Sequence, residues 1–375
     1  MRTHTSFWEA TATLIGTIVG AGILGLPYAV AQVGAIPGLL MLLLIGVASL
    51  IINLMFAEVV LRTRERHQVA GCARKYLGNI AFWLANAAAI IGSYGALTVY
   101  LIGEGEALSA LFGTNKTISS LVFFAIGAFI LLVGLRLVKV FELWMVAAFV
   151  VIILAIVGVG VADLNLINFA HIDLSRIIIP YGVILFAYSG ASSVVSLREI
   201  LRKDEKKVRR AVLIGSLVPL VIYVVFTMVV VGITGSATTP VATIGLGEKL
   251  GPAMLIFGNL FAFFAMGTSF LTVGMGLRQT FQFDLKCSKF VSWLAVIAVP
   301  LTVFLFGLRD FILAMEIAGG IAVGLTGLII IAGFAKAKKR GDRLPEFHLP
   351  RLRVVSWLLA AMFAAGICYT LYNVI

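Results

Sequence analysis

Four glycines and a proline stand close together in the first long apolar stretch, at Gly16, Gly20, Gly22, Gly25 and Pro27. A glycine inside a helix costs about 1 kcal/mol relative to alanine, so a helix that only crosses lipid gains nothing from them. Gly-x-x-x-Gly spacing also allows close helix packing. If the backbone unwinds here, freed amides at the positive end of the next half-helix would suit a carboxylate.

A second segment combines a glycine with hydroxyl groups, in Phe186-Ala187-Tyr188-Ser189-Gly190. Serine hydroxyls compete with the backbone for hydrogen bonds and therefore favour a helix break. Carbonyls freed near Phe186, Ala187 and Ser189 would accept hydrogen bonds from an ammonium group. Phe186, Tyr188 and residues such as Phe264 would line an apolar pocket beside them.

Two such breaks would bind a zwitterion mainly through backbone groups. The amides near Ala21, Gly22 and Ile23 would take its carboxylate, and the second segment would take its ammonium group. The apolar stretches contain almost no charged side chains that could do the same. Tyr94 is a further candidate for the carboxylate, although a buried tyrosine hydroxyl can equally bond a neighbouring helix.

Polar residues stand in other apolar stretches as well. Thr268 and Ser269 are adjacent hydroxyls that can bond back to carbonyls of their own helix. Lys139 and Glu316 are ionisable groups within apolar stretches, where such groups often carry protons. Lys139 can also extend to the membrane interface.

Membrane-spanning helices must position these residues. Hydrophobic residues make up 61% of the 375 residues and charged residues 12%, which excludes a soluble domain. Windows of about 20 apolar residues predict an all-α integral membrane protein. Its eleven spans lie at about 8–30, 36–61, 79–110, 117–136, 140–162, 176–198, 211–234, 252–277, 290–308, 311–335 and 354–374.

The basic residues predict how these spans are oriented. With the N-terminus in the cytoplasm of a cell-membrane protein, 25 of the 29 Lys and Arg residues fall inside and four outside. The C-terminus is then outside. This distribution explains the net charge of +12 without nucleic acid, and membrane lipid is the expected contact. An outside loop carries a glycosylation sequon at Asn115, whose use depends on the organism.

The Gly-x-x-Val-Gly-x-Gly…Pro segment, the Phe-Ala-Tyr-Ser-Gly segment and the eleven spans resemble the amino acid/auxin permease family. That family belongs to the amino acid–polyamine–organocation superfamily, which shares the leucine-transporter fold. The resemblance implies inverted repeats at about 8–162 and 176–335, with discontinuous helices one and six. A peripheral helix follows at about 354–374. It implies a single transporter domain, 1–375, that imports amino acids by alternating access.

The resemblance also implies a sodium site. In sodium-coupled relatives the ion is held by two hydroxyls and a carbonyl of the eighth helix, plus two carbonyls of the first. The matching positions are Ala265, Thr268 and Ser269, with Gly16 and Val19. Sodium-coupled import of neutral or aromatic amino acids is therefore the favoured prediction. Some proton-coupled relatives place a fifth-helix lysine there, so proton symport, through Lys139 or Glu316, or exchange is the alternative.

The chemistry of an enzyme is missing from the spans, which contain no paired carboxylates, histidine cluster or nucleophile triad. We therefore expect neither an enzyme nor a cofactor, and no obligate protein partner is evident. Cys72, Cys287 and Cys368 lie too far apart in sequence to form a metal motif.

Glu58 and Glu104 stand near span ends and are interpreted as solvated at the interface. A carrier of another small solute and a membrane amino acid sensor are alternatives.

Overall fold

The structure is a computed structural model that describes residues 2–133, 151, 155–156, 158–284 and 286–374. Its α-helices are α1 (Arg2–Ile18), α2 (Gly22–Val33), α3 (Ala35–Arg62), α4 (Val69–Leu77), α5 (Asn79–Phe112), α6 (Lys116–Val133), α7 (Pro180–Ala187), α8 (Ser193–Ile200), α9 (Val208–Thr234), α10 (Ala242–Leu250), α11 (Pro252–Gln279), α12 (Lys289–Leu305), α13 (Phe311–Ile317), α14 (Gly324–Arg340) and α15 (Arg353–Val374). A stretch of π-helix, Ala318–Val323, joins α13 to α14 and is called the π segment below. No strand occurs in the described ranges.

These helices agree with the predicted spans wherever the two can be compared. Within the described ranges, seven helical segments are long and apolar enough to cross a bilayer, and the pair α1–α2, bent by 49°, makes an eighth. The short helices α7 and α8 and the 17-residue α12 coincide with two more predicted spans. The predicted span 140–162 lies largely outside the described residues, so the count of eleven stays a prediction.

Glycine, proline and capping residues set several helix ends. Gly34 separates α2 from α3 with φ 101°, a conformation that side chains rarely allow. Pro180 and Pro252 occupy the first positions of α7 and α11, where the missing N–H costs nothing. The side chains of Ser288 and Asp310 accept backbone N–H groups at the starts of α12 and α13.

The interrupted helices lie at the centre of the bundle. α1 packs against α8 and α9, α2 against α7 and α9, and α7 against the π segment. The longest helix, α5, has 34 residues and packs against α11, α6 and the π segment. A Cβ added at Gly22 would lie 2.5 Å from the Cα of Ala187. The start of α2 and the end of α7 are therefore in backbone contact.

Charged segments gather on one side of the molecule, called the basic face below; it carries residues 62–75, 198–210 and 336–353. Arg198 joins two of these segments, because its Nη1 donates to the carbonyls of Val60 and Thr63, both at 2.8 Å. Its Nε lies 3.1 Å from Oε1 of Glu205, and Glu205 Oε2 lies 2.7 Å from Nη2 of Arg343.

The interpretation of Glu58 as an interfacial, solvated carboxylate is wrong. Its side chain is 0% exposed and pairs with Arg62 at 2.8 Å. Lys338 lies 3.7 Å away, and the backbone N–H of Leu349 donates to Oε2 at 2.7 Å. Glu58 therefore holds the segment after α14 against the end of α3.

Candidate functional site

The first break leaves amide groups without helical partners, between α1 and α2. Val19, Gly20 and Ala21 are not helical. The amides of Ala21 and Gly22 have no backbone acceptor among the described residues. The amide of Ile23, also expected to be free, donates to Gly20 O at 3.4 Å, which is longer than a normal hydrogen bond. Two of the three predicted amides are therefore available to a ligand.

The carbonyls beside this break also lose their donors. In a continuous helix Gly16 O and Val19 O would accept from Gly20 N and Ile23 N. Those amides instead donate to Ile18 O at 2.9 Å and Gly20 O at 3.4 Å. Within the part of the chain that the structure describes, Gly16 O and Val19 O receive no backbone N–H. They are the two first-helix carbonyls of the predicted sodium site.

The second break covers residues 188–192, between α7 and α8, and includes the predicted Gly190. Ser189 N donates to Phe186 O at 3.2 Å, and Ser193 N donates to Gly190 O at 3.1 Å. The carbonyls of Phe186 and Gly190 are thus engaged. Those of Tyr188 and Ser189 receive no backbone N–H within the described ranges. Of the predicted ammonium acceptors, Ser189 keeps a free carbonyl.

A single hydroxyl connects the two breaks. Tyr223, on α9, is fully buried, and its hydroxyl oxygen lies 2.5 Å from Ile18 O and 3.0 Å from Ala187 O. These carbonyls belong to the last residues of α1 and α7. The ring of Tyr188 packs 5.1 Å from that of Tyr223. Sequence reasoning missed Tyr223, because α9 has no break or polar cluster to mark it.

A cavity of about 1440 Å³ extends from the breaks to the basic face. At the end of the cavity farthest from the basic face, the lining residues are Gly20, Ala21, Gly22, Phe186, Tyr188, Ser189 and Gly190. Its walls come from Gly92, Ser93, Ala96 and Tyr100 on α5, Thr272 and Gly276 on α11, and Ala318 and Ala322 of the π segment. Its charged lining residues lie near the basic face, at Glu65, Arg66, His67, Arg74 and Lys75. The region between the breaks is therefore uncharged.

Four predicted site residues do not line the cavity. Ala187 is 2% exposed, and its carbonyl accepts from Tyr223 at 3.0 Å. The Tyr94 hydroxyl donates to the carbonyl of Ala295 on α12 at 3.0 Å, the alternative considered for it, and its neighbour Ser93 faces the cavity instead. Ile23 is fully buried in the core beside the cavity. Phe264, considered for the apolar pocket, is 54% exposed on the outer side of α11. Side chains of neighbouring residues on a helix point about 100° apart. The sequence alone does not show which of them faces the cavity.

The predicted ion-binding hydroxyl of Ser269 lies beside the first break. A Cβ added at Gly20 would meet Ser269 Oγ at 3.2 Å. The Tyr100 side chain lies beside that of Ser269. α11 therefore brings one candidate ligand to the residues where α1 ends.

The neighbouring hydroxyl of Thr268 bonds within its own helix. Its Oγ1 donates to Phe264 O at 2.8 Å and lies 3.4 Å from Ala265 O. Ala265 is buried, at 1% exposed. The Thr268 proton is thus satisfied by the backbone, while the oxygen keeps lone pairs that a cation could use.

The two proton candidates have different outcomes. Lys139 lies outside the described residues. Glu316 is half-buried on α13, and its backbone packs against Gly182 of α7. A Cβ added at Gly182 would lie 2.6 Å from Glu316 O. It does not line the cavity. No cluster of His, Cys, Asp or Glu suited to a metal ion occurs in the described ranges.

Comparison with solved structures confirms the fold class. A crystal structure of MhsT in complex with L-phenylalanine matches with a TM-score of 0.67, over 98% of each chain and at 13% identity. The all-helical leucine-transporter fold inferred from the sequence is therefore correct.

Sequence comparison identifies the family. The tyrosine-specific transport system 1 of Haemophilus influenzae is 26% identical, over 90% of this chain and 89% of its own length. Glutamine transporter 2 of Aliivibrio fischeri is 24% identical, over 87% and 88%. The tryptophan/tyrosine permease family model matches residues 3–371. The amino acid/auxin permease family, to which the resemblance pointed, is a different family of the same general class of amino acid transporters. The chain belongs to the tryptophan/tyrosine permease family and is a transporter, not an enzyme.

Proposed function

We propose that this protein imports zwitterionic amino acids, aromatic or otherwise neutral, and binds them between its two helix breaks. The observation that carries the proposal is the pair of amides at Ala21 and Gly22, which have no backbone acceptor within the described ranges and line an uncharged end of the cavity. They would bind the substrate carboxylate at the start of α2. The free carbonyls of Tyr188 and Ser189 would accept from its ammonium group.

The side-chain pocket supports an aromatic substrate. Phe186, Tyr188 and Tyr100 contribute aromatic rings to the cavity close to the breaks. Aromatic rings pack favourably against one another. Relatives named for tyrosine and for glutamine match most of this chain in sequence, so neutral side chains of both kinds belong in the test.

Sodium is the coupling ion we propose, held by Gly16 O, Val19 O, Ala265 O, Thr268 Oγ1 and Ser269 Oγ. The support is that both first-helix carbonyls receive no backbone N–H from the described part of the chain and that Ser269 lies against Gly20. A sodium ion would join α1 to α11 and so favour one arrangement of the two helices. Its loss on the basic side would release the substrate.

We further propose that the basic face is cytoplasmic, with the N-terminus inside and the C-terminus outside. The positive-inside rule supports this orientation. The cavity opens to the basic face, so the structure would represent the inward-facing carrier. The two inverted repeats, about 8–162 and 176–335, would supply the second conformation by exchanging their arrangements.

Uptake into proteoliposomes tests substrate and ion together. Labelled L-tyrosine, L-tryptophan, L-phenylalanine and L-glutamine would be offered with an inward sodium gradient, or with an inward proton gradient and no sodium. We expect accumulation with sodium alone. Accumulation with protons alone would reject sodium coupling and favour the proton alternative, with Glu316→Gln and Lys139→Ala as its variants.

Two matched variants separate ion binding from folding. Ser269→Ala removes the hydroxyl beside Gly20 and is expected to raise the sodium concentration for half-maximal uptake at least tenfold. Thr280→Ala is the control, because Thr280 directly follows α11 and its hydroxyl donates to Gly276 O at 3.2 Å, about three helical turns from Ser269. An unchanged sodium dependence in Ser269→Ala would reject this ligand set.

Substrate analogues test the backbone groups, which mutation cannot remove. L-tyrosine methyl ester has no carboxylate, and N-acetyl-L-tyrosine has no ammonium group. Hydrogen bonds to charged groups contribute about 1.5–3 kcal/mol, so each analogue should compete about ten- to a hundredfold more weakly than L-tyrosine. Equal competition by the ester would contradict carboxylate binding at Ala21 and Gly22.

A further inference from the structure

A buried carboxyl group without partners lies in the outer half of α5. Glu104 is 0% exposed, and neither of its carboxylate oxygens has a hydrogen-bond partner among the described residues. The interpretation of Glu104 as an interfacial residue is therefore wrong. A carboxylate in such a place must be neutralised, by a proton or by a cation.

The surroundings of Glu104 are apolar and tightly packed. Oε1 faces α11 at Gly267, where an added Cβ would lie 3.5 Å from it and 3.8 Å from the ring of Phe123. The Gly267 amide lies near the carboxyl, but it makes no hydrogen bond of acceptable geometry with it. A Cβ at the adjacent Gly103 would lie 2.6 Å from both Met266 and Phe311. The site is closed to water in this conformation.

No charged group balances Glu104 within the described ranges. The titratable or charged groups on α5 and on the elements packed against it near this site are Tyr100, Glu106, Lys116, Arg278, Asp310 and Glu316. None of them has an electrostatic interaction with Glu104. Lys116 is 3.9 Å from Glu106, and Arg278 bonds to carbonyls at the end of α6.

Glu104 stands one helical turn from the proposed sodium site. Tyr100, four residues earlier on α5, lies beside Ser269, and Ser269 follows Gly267 by two residues on α11. Any movement of α11 relative to α5 that opens or closes the ion site also changes the packing around Glu104. The carboxyl is therefore placed where helix movement would expose it to water.

We propose that Glu104 is a proton-binding site of the carrier, separate from the sodium site, which carries a proton while α5 and α11 are packed together. The proposal rests on the proposed transport function. In the conformation where this contact opens, the O–H bond breaks and the proton passes to water; the reverse step takes a proton from water before the helices pack again. A rise in pH favours the ionised carboxylate, which cannot enter the dry contact. Exchange of substrate should therefore slow as pH rises.

The test is counterflow exchange of labelled L-tyrosine in proteoliposomes at saturating sodium, with equal pH on both sides from 5.5 to 9. In the wild type we expect exchange to fall with pH, by up to tenfold per pH unit as for a single proton. Glu104→Gln stays uncharged and should flatten the profile. Glu106→Gln, two residues away and outside the dry contact, should keep the wild-type profile. Equal profiles for Glu104→Gln and wild type would overturn the proposal.

A spectroscopic measurement decides the proposal without transport. Infrared spectra of purified wild-type protein at pH 7 should contain a carboxylic acid C=O band that is missing in Glu104→Gln and present in Glu106→Gln. Identical spectra for the wild type and Glu104→Gln would overturn the proposal. Absence of exchange in the wild type at every pH would contradict the proposed function, and the infrared band would still decide whether Glu104 holds a proton.

Discussion

At the scale of single residues, the Tyr223 hydroxyl is the group that defines how the two breaks face each other. It approaches the last carbonyls of α1 and α7 and shares one proton between them. No other side chain in the described ranges is recorded as donating to both. A change in the angle between α1 and α7 must break at least one of these contacts, so Tyr223 couples the two broken helices.

Removal of this hydroxyl should damage transport while leaving the protein folded. Tyr223→Phe leaves two buried carbonyls with less hydrogen bonding, at a cost of about 1–3 kcal/mol, and we expect at least a tenfold slower exchange. Tyr181→Phe is the matched control, because that buried hydroxyl donates to Met362 O at 3.2 Å, away from the breaks. Exchange in proteoliposomes measures both. Equal losses in the two variants would mean that Tyr223 has only a packing role.

Gly22 should not tolerate any side chain. Its added Cβ would lie 2.5 Å from the Cα of Ala187 and 2.7 Å from its Cβ, so Gly22→Ala must push α2 away from α7. Overpacking typically costs about 1–3 kcal/mol, and we expect lower thermal stability and loss of substrate binding. Gly276→Ala is the control, since Gly276 also lines the cavity but has open space around it. Ligand-dependent thermal unfolding should separate the two variants.

The sequence predicted the glycine-marked parts of this site because the cost of glycine in a helix needs a local explanation. It did not orient side chains: Tyr94 turns to α12, and Ser93 faces the cavity. It could not identify Tyr223 or Glu104 either. Their importance comes from which helices surround them, and hydropathy carries no information on helix neighbours.

At the scale of elements, Arg198 ties the charged segments of the basic face to the end of α3. Its planar guanidinium bonds two carbonyls of the α3 end and pairs with Glu205, which in turn pairs with Arg343. α8, the segment after it and the segment after α14 are therefore fixed to one point. Movement of α8 at the second break would be transmitted to this face.

Replacement of Arg198 by lysine should loosen these segments although the charge is kept. A lysine ammonium lacks the planar fork that makes all three contacts at once. We expect faster proteolysis of residues 198–210 and 341–352 in Arg198→Lys. Arg202→Lys is the control, because Arg202 is exposed on the same loop. If both variants are cleaved at the wild-type rate, the guanidinium geometry does not hold this face together.

The pair of Asp342 and Lys75, on the same face, should not contribute a pH response near neutrality. The hydrogen bond from Lys75, with that from the Arg64 N–H, lowers the pKa of Asp342 below its usual range. A group with a lowered pKa stabilises the fold above its unfolded pKa, about 3.9, and loses that contribution as pH falls through the folded value. Asp342→Asn should therefore lower the melting temperature equally at pH 6 and pH 8. A difference between these two pH values would contradict this assignment.

At the scale of the whole molecule, composition and charge predicted the membrane class and the helical fold reliably, because lipid permits few alternatives. The number of spans is harder to establish than the fold class, because short broken helices such as α7 and α8 are each too short to cross a membrane. The direction in which the cavity opens could not be predicted at all. That property belongs to one conformation, and the transport cycle that we propose requires at least one more.

Accessibility of introduced cysteines can test both the orientation and the open side. The native Cys72, Cys287 and Cys368 would first be replaced by serine or alanine. A cysteine at Gly276, in the open cavity wall, should then react with a membrane-impermeant thiol reagent added from the cytoplasmic side. A cysteine at Thr114, on the opposite face, should react only from outside.

Substrate and sodium should change this labelling in a definite direction. If they favour closure of the cavity, the Gly276 cysteine should react several times more slowly when both are present, because the reagent can no longer enter from the basic face. The cysteine at Thr114 measures labelling outside the cavity. Labelling of the Gly276 cysteine from the outside alone would contradict the proposed orientation. Labelling from the cytoplasmic side that ignores both ligands would instead indicate a permanently open cavity, which a carrier working by alternating access cannot have.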